Sequence, residues 1–339
     1  MKHVRLRTRA LPAVGAATVV LVALTACGGV KTGATGSNGD AKSGYPTKSI
    51  QMTVGASAGG SSDLISRAMS KGMGENLKVA MPVINKPGAN GALVAKELKG
   101  AAPDGYSISI QNASLFTITP LAVGPSEATS IDDFDVLYGV SRDDYVLVTN
   151  SRSGFKNITD LKNAGRKIKY GTTGVGTGAQ LASALTFKTA AIDSVAVPFD
   201  GGAPNLTALL GNQVDASTMQ VGEAIENIKA GKLVPLAVFA PDRIKALPDV
   251  PTAKEQGFDV VVTQYRFITT PKGAPQEVKD KLVSAAKATY ATDEYKKFNE
   301  ANSLTPLEVP GDEVVSMLKS DLKSNTDKVK QFGINLGGK

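Results

Sequence analysis

The segment "IQMTVGASAGGSSDLISRAMSKG" (residues 50–72) determines how we interpret the fold of this chain. The mainly apolar run Ile50–Val54 predicts a strand, the glycine-rich stretch a turn, and the residues from Asp63 onward a helix. This is the strand–loop–helix unit of α/β proteins. The same stretch holds Gly55-Ala56-Ser57-Ala58-Gly59, the G-x-S-x-G pattern that marks a nucleophile elbow in hydrolases.

The second half of the chain repeats this arrangement. A strand predicted over 167–170 runs into "GTTGVGTGA" (171–179) and then into a helix. In open α/β sheets, ligands bind at loops that follow the carboxyl ends of strands. Glycines let the backbone approach closely, and free N–H groups at a helix N-terminus favour an anion. We therefore expect the first glycine loop (residues 55–60) and the second (residues 171–177) to grip a ligand with negative charge at both ends.

Short β-branched runs alternate with helical patterns elsewhere, which predicts an α/β fold with mainly parallel sheets. The predicted strands are 50–54, 79–84, 107–111, 145–149, 167–170, 194–198, 216–219, 234–239 and 260–270. The predicted helices are 63–75, 91–98, 179–189, 205–210, 223–230, 276–291 and 311–332.

The N-terminus has the form of an export signal. Four basic residues without an acid precede an apolar run, as in a secretory signal peptide. The alternative is a membrane-spanning anchor, for which this apolar run is at the short limit. Leu24-Thr25-Ala26-Cys27 resembles the lipobox of bacterial lipoproteins, and Cys27 is the only cysteine. We expect residues 1–26 to be a signal peptide, and residues 27–44, rich in Gly, Ser and Thr, to be the lipidated cysteine and a flexible tether. The protein would then be exported and lipid-anchored to the outer face of the cell membrane.

Charge and histidine content exclude several functions. The chain has 38 basic and 31 acidic residues; without the four basic residues of the signal, 34 stand against 31, so we expect no nucleic-acid binding. The only histidine is His3, inside the signal. This argues against a Ser-His-Asp triad, a Cys-His dyad, and metal sites built from His or Cys, so we expect no metal and no enzyme. A secreted serine hydrolase using Ser57 remains the minor alternative.

The second loop also contains Gly174-x-Gly176-x-x-Ala179, a loose dinucleotide-binding pattern, with Asp193 near the position of the ribose-binding acid. Asp193 precedes the next apolar run instead of ending it, and an exported lipoprotein has little access to NAD. We expect no cofactor.

Five segments together resemble one family, the substrate-binding proteins of tripartite tricarboxylate transporters, also called the Bug family. They are "AGGSSD" (58–63), "NKPGANGALVAKELKGAAPDGYSI" (85–108), "GTTGVGTGAQLAS" (171–183), "VPFDGGAPNLTALLGNQVDA" (197–216) and "LPDVPTAKEQGF" (247–258). The resemblance covers nearly everything from Tyr45 onward, and the motifs are specific as a set.

The resemblance implies a two-lobed, periplasmic-binding-protein-like fold (a Venus flytrap), each lobe a mainly parallel sheet flanked by helices. Lobe 1 would be residues 45–143 plus 262–339, and lobe 2 residues 144–261. It also implies a monomeric receptor that captures a small carboxylate, a di- or tricarboxylate such as citrate, for the membrane permease subunits of the transporter. Another solute class, such as an amino acid, an aromatic acid or a phosphorylated compound, is the alternative.

The resemblance also implies the ligand-binding residues. They are Ser57, Ala58, Gly59, Gly60, Ser61, Ser62, Asp63, Asn112, Ala113, Ser114, Thr172, Thr173, Gly174, Val175, Gly176, Thr177, Phe199, Asp200 and Gly201. We add Arg266, because it is the one cation near the predicted hinge and cleft. Asp63 has a structural alternative as a helix N-cap or first-turn acid, which we favour. Arg266 is either a two-bond clamp for a carboxylate or a solvated surface arginine.

The chain departs from the family pattern at four positions. Gly55 and Ala56 stand where relatives often have a proline and an aromatic residue, Gln180 where they often have histidine, and Tyr265 where tryptophan is common. The resemblance therefore implies an altered pocket.

Overall fold

A computed structural model of the chain describes residues 44–337. The expected signal peptide, Cys27 and all of the tether before Gly44 lie outside the described residues. Residues 44–337 form one compact unit. No helix within this range is long and apolar enough to cross a membrane.

Ten strands form a single mixed sheet within the described range. They are β1 (Gln51–Val54), β2 (Val83–Asn85), β3 (Ser107–Asn112), β4 (Phe134–Asn150), β5 (Ile168–Thr172), β6 (Ser194–Pro198), β7 (Ala216–Gln220), β8 (Leu233–Val238), β9 (Thr263–Pro271) and β10 (Thr305–Pro306). The main path is β2-β1-β3-β9-β4-β7-β5-β6, and β8 and β10 pair with β4.

Parallel strands flank an antiparallel centre. β1 pairs in parallel with β2 and β3, and β5 pairs in parallel with β6 and β7. The long strand β4 joins the two groups: residues 134–144 pair with β9, and residues 145–150 pair with β7 and β8. The change of partner falls between Asp144 and Tyr145.

Ten α-helices cover the sheet in the described chain. They are α1 (Ser61–Leu77), α2 (Ala92–Lys99), α3 (Ala113–Thr117), α4 (Ile158–Lys162), α5 (Gly178–Thr189), α6 (Gly202–Leu210), α7 (Val221–Lys229), α8 (Gln276–Ala291), α9 (Asp293–Ala301) and α10 (Gly311–Phe332). Side chains cap some of them: Thr177 Oγ1 accepts a hydrogen bond from the backbone N–H of Gln180 at α5, and Thr292 does the same from Tyr295 at α9. α1 and α6 begin instead at glycines, Gly60 and Gly201, without a side-chain cap.

The buried apolar side chains separate into groups on either side of the partner change in β4. One cluster, around Met69, Ile108 and Leu282, uses only residues before 143 or after 262. Another, around Val146 and Leu209, uses only residues 146–250. A third lies almost wholly within 145–262, with Ile118 and Leu336 as the buried exceptions. The buried apolar side chains thus lie mostly on one side or the other of the partner change, around one continuous sheet.

The α/β class is confirmed. The predicted bounds of β6, α8 and α10 agree with the structure. The predicted strand over 260–270 begins later, at Thr263. The sequence did not predict residues 134–144 of β4, the helices α3, α4 and α9, or the two-residue strand β10. The missed part of β4 contains Asp135, Arg142, Asp143 and Asp144. These charged residues interrupt the run of apolar residues from which a strand is predicted.

Candidate functional site

A cavity of about 300 Å³ lies where the carboxyl ends of six strands meet. The ends of β1, β2, β3, β5, β6 and β7 and the residues that follow them line it, together with the start of β9. β9 is antiparallel to β3, with Arg266 paired to Asn112, so its first residues lie beside the end of β3. The cavity therefore occupies the position at which open α/β sheets bind ligands.

Twelve of the expected ligand-binding residues line this cavity. They are Ser57, Gly60, Ser61, Ser62, Asn112, Thr173, Gly174, Val175, Phe199, Asp200, Gly201 and Arg266. The two glycine loops and the turn at 199–201 thus come together, although they are far apart in the chain.

Eight expected residues do not line the cavity. They are Ala58, Gly59, Asp63, Ala113, Ser114, Thr172, Gly176 and Thr177. Several hold the loops in place instead. Thr177 caps α5, and the hydroxyl of Ser114 accepts hydrogen bonds from Asn90 and Gln264 at 3.0 Å each.

Sequence reasoning missed eleven lining residues. They are Gly55, Ala56, Pro87, Gly88, Ala89, Asn90, Pro198, Gly202, Gln220, Glu223 and Gln264. Some carried a detectable cue: Gly55 and Ala56 begin the first glycine loop, and residues 87–90 lie in one of the five segments that carry the family resemblance. Glu223 and Gln264 carry no local cue, because their position depends on the pairing of distant strands.

The first glycine loop is bound to the residues opposite it. Ser57 Oγ donates to the backbone carbonyl of Asp200 at 2.6 Å. Ser61, the first residue of α1, donates from its N–H to Glu223 Oε1 at 3.0 Å and from its hydroxyl to Asp143 Oδ2 at 2.9 Å. Ser57 therefore bonds a carbonyl, whereas a serine nucleophile requires a base that takes its proton.

The second loop is fixed by close backbone contacts. Gly176 has a φ of +69°, and a Cβ there would lie 2.8 Å from Thr119 Cα, so only glycine fits. Its carbonyl accepts hydrogen bonds from Thr119 Oγ1 at 3.0 Å and Asn90 Nδ2 at 3.3 Å. Its N–H donates to Gln180 Oε1 at 2.7 Å. Gln180, which stands where relatives often have histidine, therefore helps to hold the second loop in place.

Arg266 is buried in the wall of the cavity, with 1% of its side chain exposed. Its Nε donates to Ser62 Oγ at 2.8 Å, and its Nη1 forms an ion pair with Asp143, itself 2% exposed. The interpretation of Arg266 as a solvated surface arginine is therefore wrong. Its Nη2 makes no hydrogen bond to any residue in 44–337.

Two buried carboxylates near Arg266 have an oxygen without a hydrogen-bond partner in the described structure. These atoms are Asp143 Oδ1 and Glu223 Oε2. Burial raises the pKa of Glu223, opposed by the hydrogen bond from Ser61 N–H and the charge of Arg266. Unpaired buried oxygens of this kind are costly unless a bound group donates to them.

Asp63 lies outside the cavity and has the structural role that we favoured. As the third residue of α1, it accepts from Gly59 N–H at 2.9 Å and from Asn85 Nδ2 at 2.8 Å, and it pairs with Arg67. Burial opposes its ionisation, but the hydrogen bonds from Arg67, Gly59 and Asn85 outweigh burial and lower its pKa. The helix N-cap itself is Gly60.

The structure explains two other departures from the family pattern. A Cβ on Gly55 would lie 2.3 Å from Gly91 Cα, so any side chain would separate the two backbones. Tyr265 is buried on the opposite face of β9, and its hydroxyl donates to Asp321 Oδ2 at 2.9 Å. Across the described residues, no three His, Cys, Asp or Glu side chains converge as a metal site.

Comparisons with known proteins agree on one family. The family model described as the tripartite tricarboxylate transporter family receptor matches residues 65–334. The protein BugT of Bordetella pertussis is 29% identical over 245 residues, covering 69% of this chain and 74% of BugT. The solved periplasmic binding protein BugD is 26% identical, with a TM-score of 0.80, covering 86% of this chain and 99% of BugD. MatC from Rhodopseudomonas palustris, solved with bound malate, is 22% identical, with a TM-score of 0.78, covering 84% and 100%, and shows the fold alone.

Proposed function

Since this chain belongs to the tripartite tricarboxylate transporter receptor family, whose members are extracytoplasmic solute-binding receptors, we propose that it captures a small carboxylate and passes it to the membrane permease subunits of such a transporter. The observation that carries the proposal is the cavity. There, the N-termini of α1 and α6, which begin at glycine N-caps, the second glycine loop and Arg266 face one cavity. Backbone N–H groups and a guanidinium are the donors that carboxylates bind.

The ligand would be a di- or tricarboxylate such as citrate. In this arrangement, the first glycine loop and the start of α1 would bind one end, and Thr173–Val175 with the turn at 199–201 would bind the other. Of the three guanidinium nitrogens of Arg266, only Nη2 has no hydrogen-bond partner among the described residues, so Nη2 would donate to a ligand carboxylate. Arg266 would then clamp the ligand with one nitrogen while Asp143 orients the guanidinium.

The mechanism would be closure of two lobes, residues 45–143 plus 262–339 and residues 144–261. The partner change in β4 and the separate apolar cores support this division. Several hydrogen bonds cross between these two proposed lobes, among them Ser57 to Asp200, Ser61 to Glu223, and both Asn90 and Thr119 to Gly176. A ligand that contacts both lobes would stabilise the closed form by its differential affinity.

The receptor would perform no covalent chemistry. A serine hydrolase that uses Ser57 is the contrasting function, and Ser57→Ala separates the two. We expect the variant to fold normally and to lose affinity by about tenfold or less, because one hydrogen bond contributes about 0.5–1.5 kcal/mol. A hydrolase activity that the wild type shows and Ser57→Ala lacks would reject the receptor-only function.

The decisive experiment is a thermal-shift screen followed by calorimetry. The panel holds citrate, malate, succinate, aspartate, glutamate and benzoate, with putrescine and glucose as cationic and neutral controls that carry no carboxylate. A ligand at 100 times its Kd stabilises the folded state by about 2.7 kcal/mol, which raises Tm by about 4 °C for a domain of this size. If only the cationic or neutral solutes raise Tm, the carboxylate proposal is rejected.

Export and anchoring form a separate part of the proposal. The receptor would be a monomer held at the outer face of the cell membrane through lipidated Cys27. We expect the native protein to partition into the detergent phase of a Triton X-114 extraction and Cys27→Ser to move to the aqueous phase. Equal partitioning of the two would remove the lipid anchor from the proposal.

A further inference from the structure

Resting on the proposed function, we propose that Glu223 is a specificity residue that binds an ammonium group of the ligand. The ligand would then be an amino-bearing dicarboxylate, such as an acidic amino acid, which narrows the di- or tricarboxylate class proposed above to members that carry an amino group.

The geometry of Glu223 is the first argument. It lies in the first turn of α7, and its Oε1 accepts the N–H of Ser61, the first residue of α1. A Cβ on Gly202, the first residue of α6, would lie 2.0 Å from Glu223 Oε2, so the carboxylate packs directly against that helix start. Glu223 thus occupies the position between two helix N-termini where the negative end of a ligand would otherwise bind.

The second argument is the charge of the cavity. Arg266 is the only cation among the described lining residues, and it is already paired with Asp143. With Glu223, the buried cluster holds one cation and two carboxylates, while Asp200 adds an exposed acid at the rim. A dicarboxylate would add two more negative charges, whereas an ammonium group would neutralise one of those present.

The third argument is the unpaired oxygen. Glu223 Oε2 is buried and accepts no hydrogen bond within the described structure, although Glu223 lines the cavity. Carboxylate oxygens only accept, so the group that satisfies this atom must be a donor. An ammonium group supplies both the donor and the positive charge. The ligand carboxylates are left to the second glycine loop and to Arg266 Nη2.

Matched ligand pairs test this inference by calorimetry at pH 7. The pairs are L-aspartate with succinate and L-glutamate with glutarate, which differ only in the amino group. We expect the wild type to bind the amino member of at least one pair tenfold or more tightly than its partner. We expect Glu223→Gln to reduce that preference at least tenfold, with unchanged or stronger binding of the des-amino acid. The control Glu226→Gln, on an exposed side chain of the same helix, retains the wild-type preference.

The outcomes separate this inference from the proposed function. Equal binding within both pairs, binding of a non-amino acid such as citrate alone, or a preference that survives Glu223→Gln overturns the role of Glu223 but leaves a carboxylate receptor. Failure of every carboxylate to bind overturns the proposed function itself. The wild-type comparison needs no variant, so the inference can be tested even if Glu223→Gln does not fold.

Discussion

Replacing Arg266 with glutamine removes the positive charge from the buried cluster at the wall of the cavity. Arg266 and Asp143 are 1% and 2% exposed, so water cannot replace the lost partner. Asp143 would keep only the hydroxyl of Ser61, because its Oδ1 already lacks a hydrogen bond within 44–337. The variant therefore leaves an uncompensated negative charge in the interior.

The magnitude follows from this burial. Removing one partner of a buried ion pair costs about 3–5 kcal/mol of unfolding free energy. At an unfolding entropy of about 2.1 cal/mol/K per residue, the roughly 290 described residues convert this loss into a fall in Tm of about 5–8 °C. If Arg266 also clamps a ligand carboxylate, the lost charged hydrogen bond lowers affinity by about 10- to 150-fold, equivalent to about 1.5–3 kcal/mol.

Differential scanning calorimetry and urea unfolding measure the first effect, and titration of the folded variant at 25 °C measures the second. Arg243→Gln is the matched control, because Arg243 forms an exposed pair with Glu255 that should contribute no more than about 1 kcal/mol. Adding Asp143→Asn to Arg266→Gln should recover part of the loss, because it removes the stranded charge. Equal shifts in Tm for Arg266→Gln and Arg243→Gln would refute the buried-pair argument, and unchanged carboxylate affinity would reject the clamp.

Three further predictions test individual contacts. Gly55→Ala should lower stability by about 1–3 kcal/mol, because its Cβ would meet the Gly91 backbone, whereas Gly124→Ala, which has open space, should have little effect in the same melt. Asp63→Asn should lower Tm at pH 7, because the folded-state pKa of Asp63 is depressed and its carboxylate stabilises the fold at any pH above about 4. This stabilisation is lost as pH falls through the folded-state pKa, so the difference in Tm between wild type and Asp63→Asn should be smaller at pH 3 than at pH 7. Without ligand, Glu223→Gln should raise Tm at pH 7, because burial raises the pKa of Glu223 and the wild type therefore loses stability as pH rises above about 4.3. A difference in Tm between the variant and the wild type that does not grow from pH 4 to pH 7 contradicts this.

Much of the fold could be predicted because it is encoded locally. Apolar runs followed by glycine loops and helical patterns located both strand–loop–helix units and the bounds of β6, α8 and α10. The first half of β4 could not be predicted in this way. There, Asp143 is buried beside Arg266, which β9 supplies from more than one hundred residues later in the chain.

The same distinction between local sequence and distant contacts applies to the residues of the candidate site. The sequence pattern indicated both glycine loops, because a loop that follows a strand must lie at that end of the sheet, and the family resemblance indicated the turn at 199–201. Only the tertiary structure placed Glu223 against Ser61 and Gly202, and buried Arg266 beside Asp143. Backbone N–H groups are present in any such loop whatever its side chains are. The charge that faces them depends on which distant residues share the cavity, and this is a property of the packing of the whole chain.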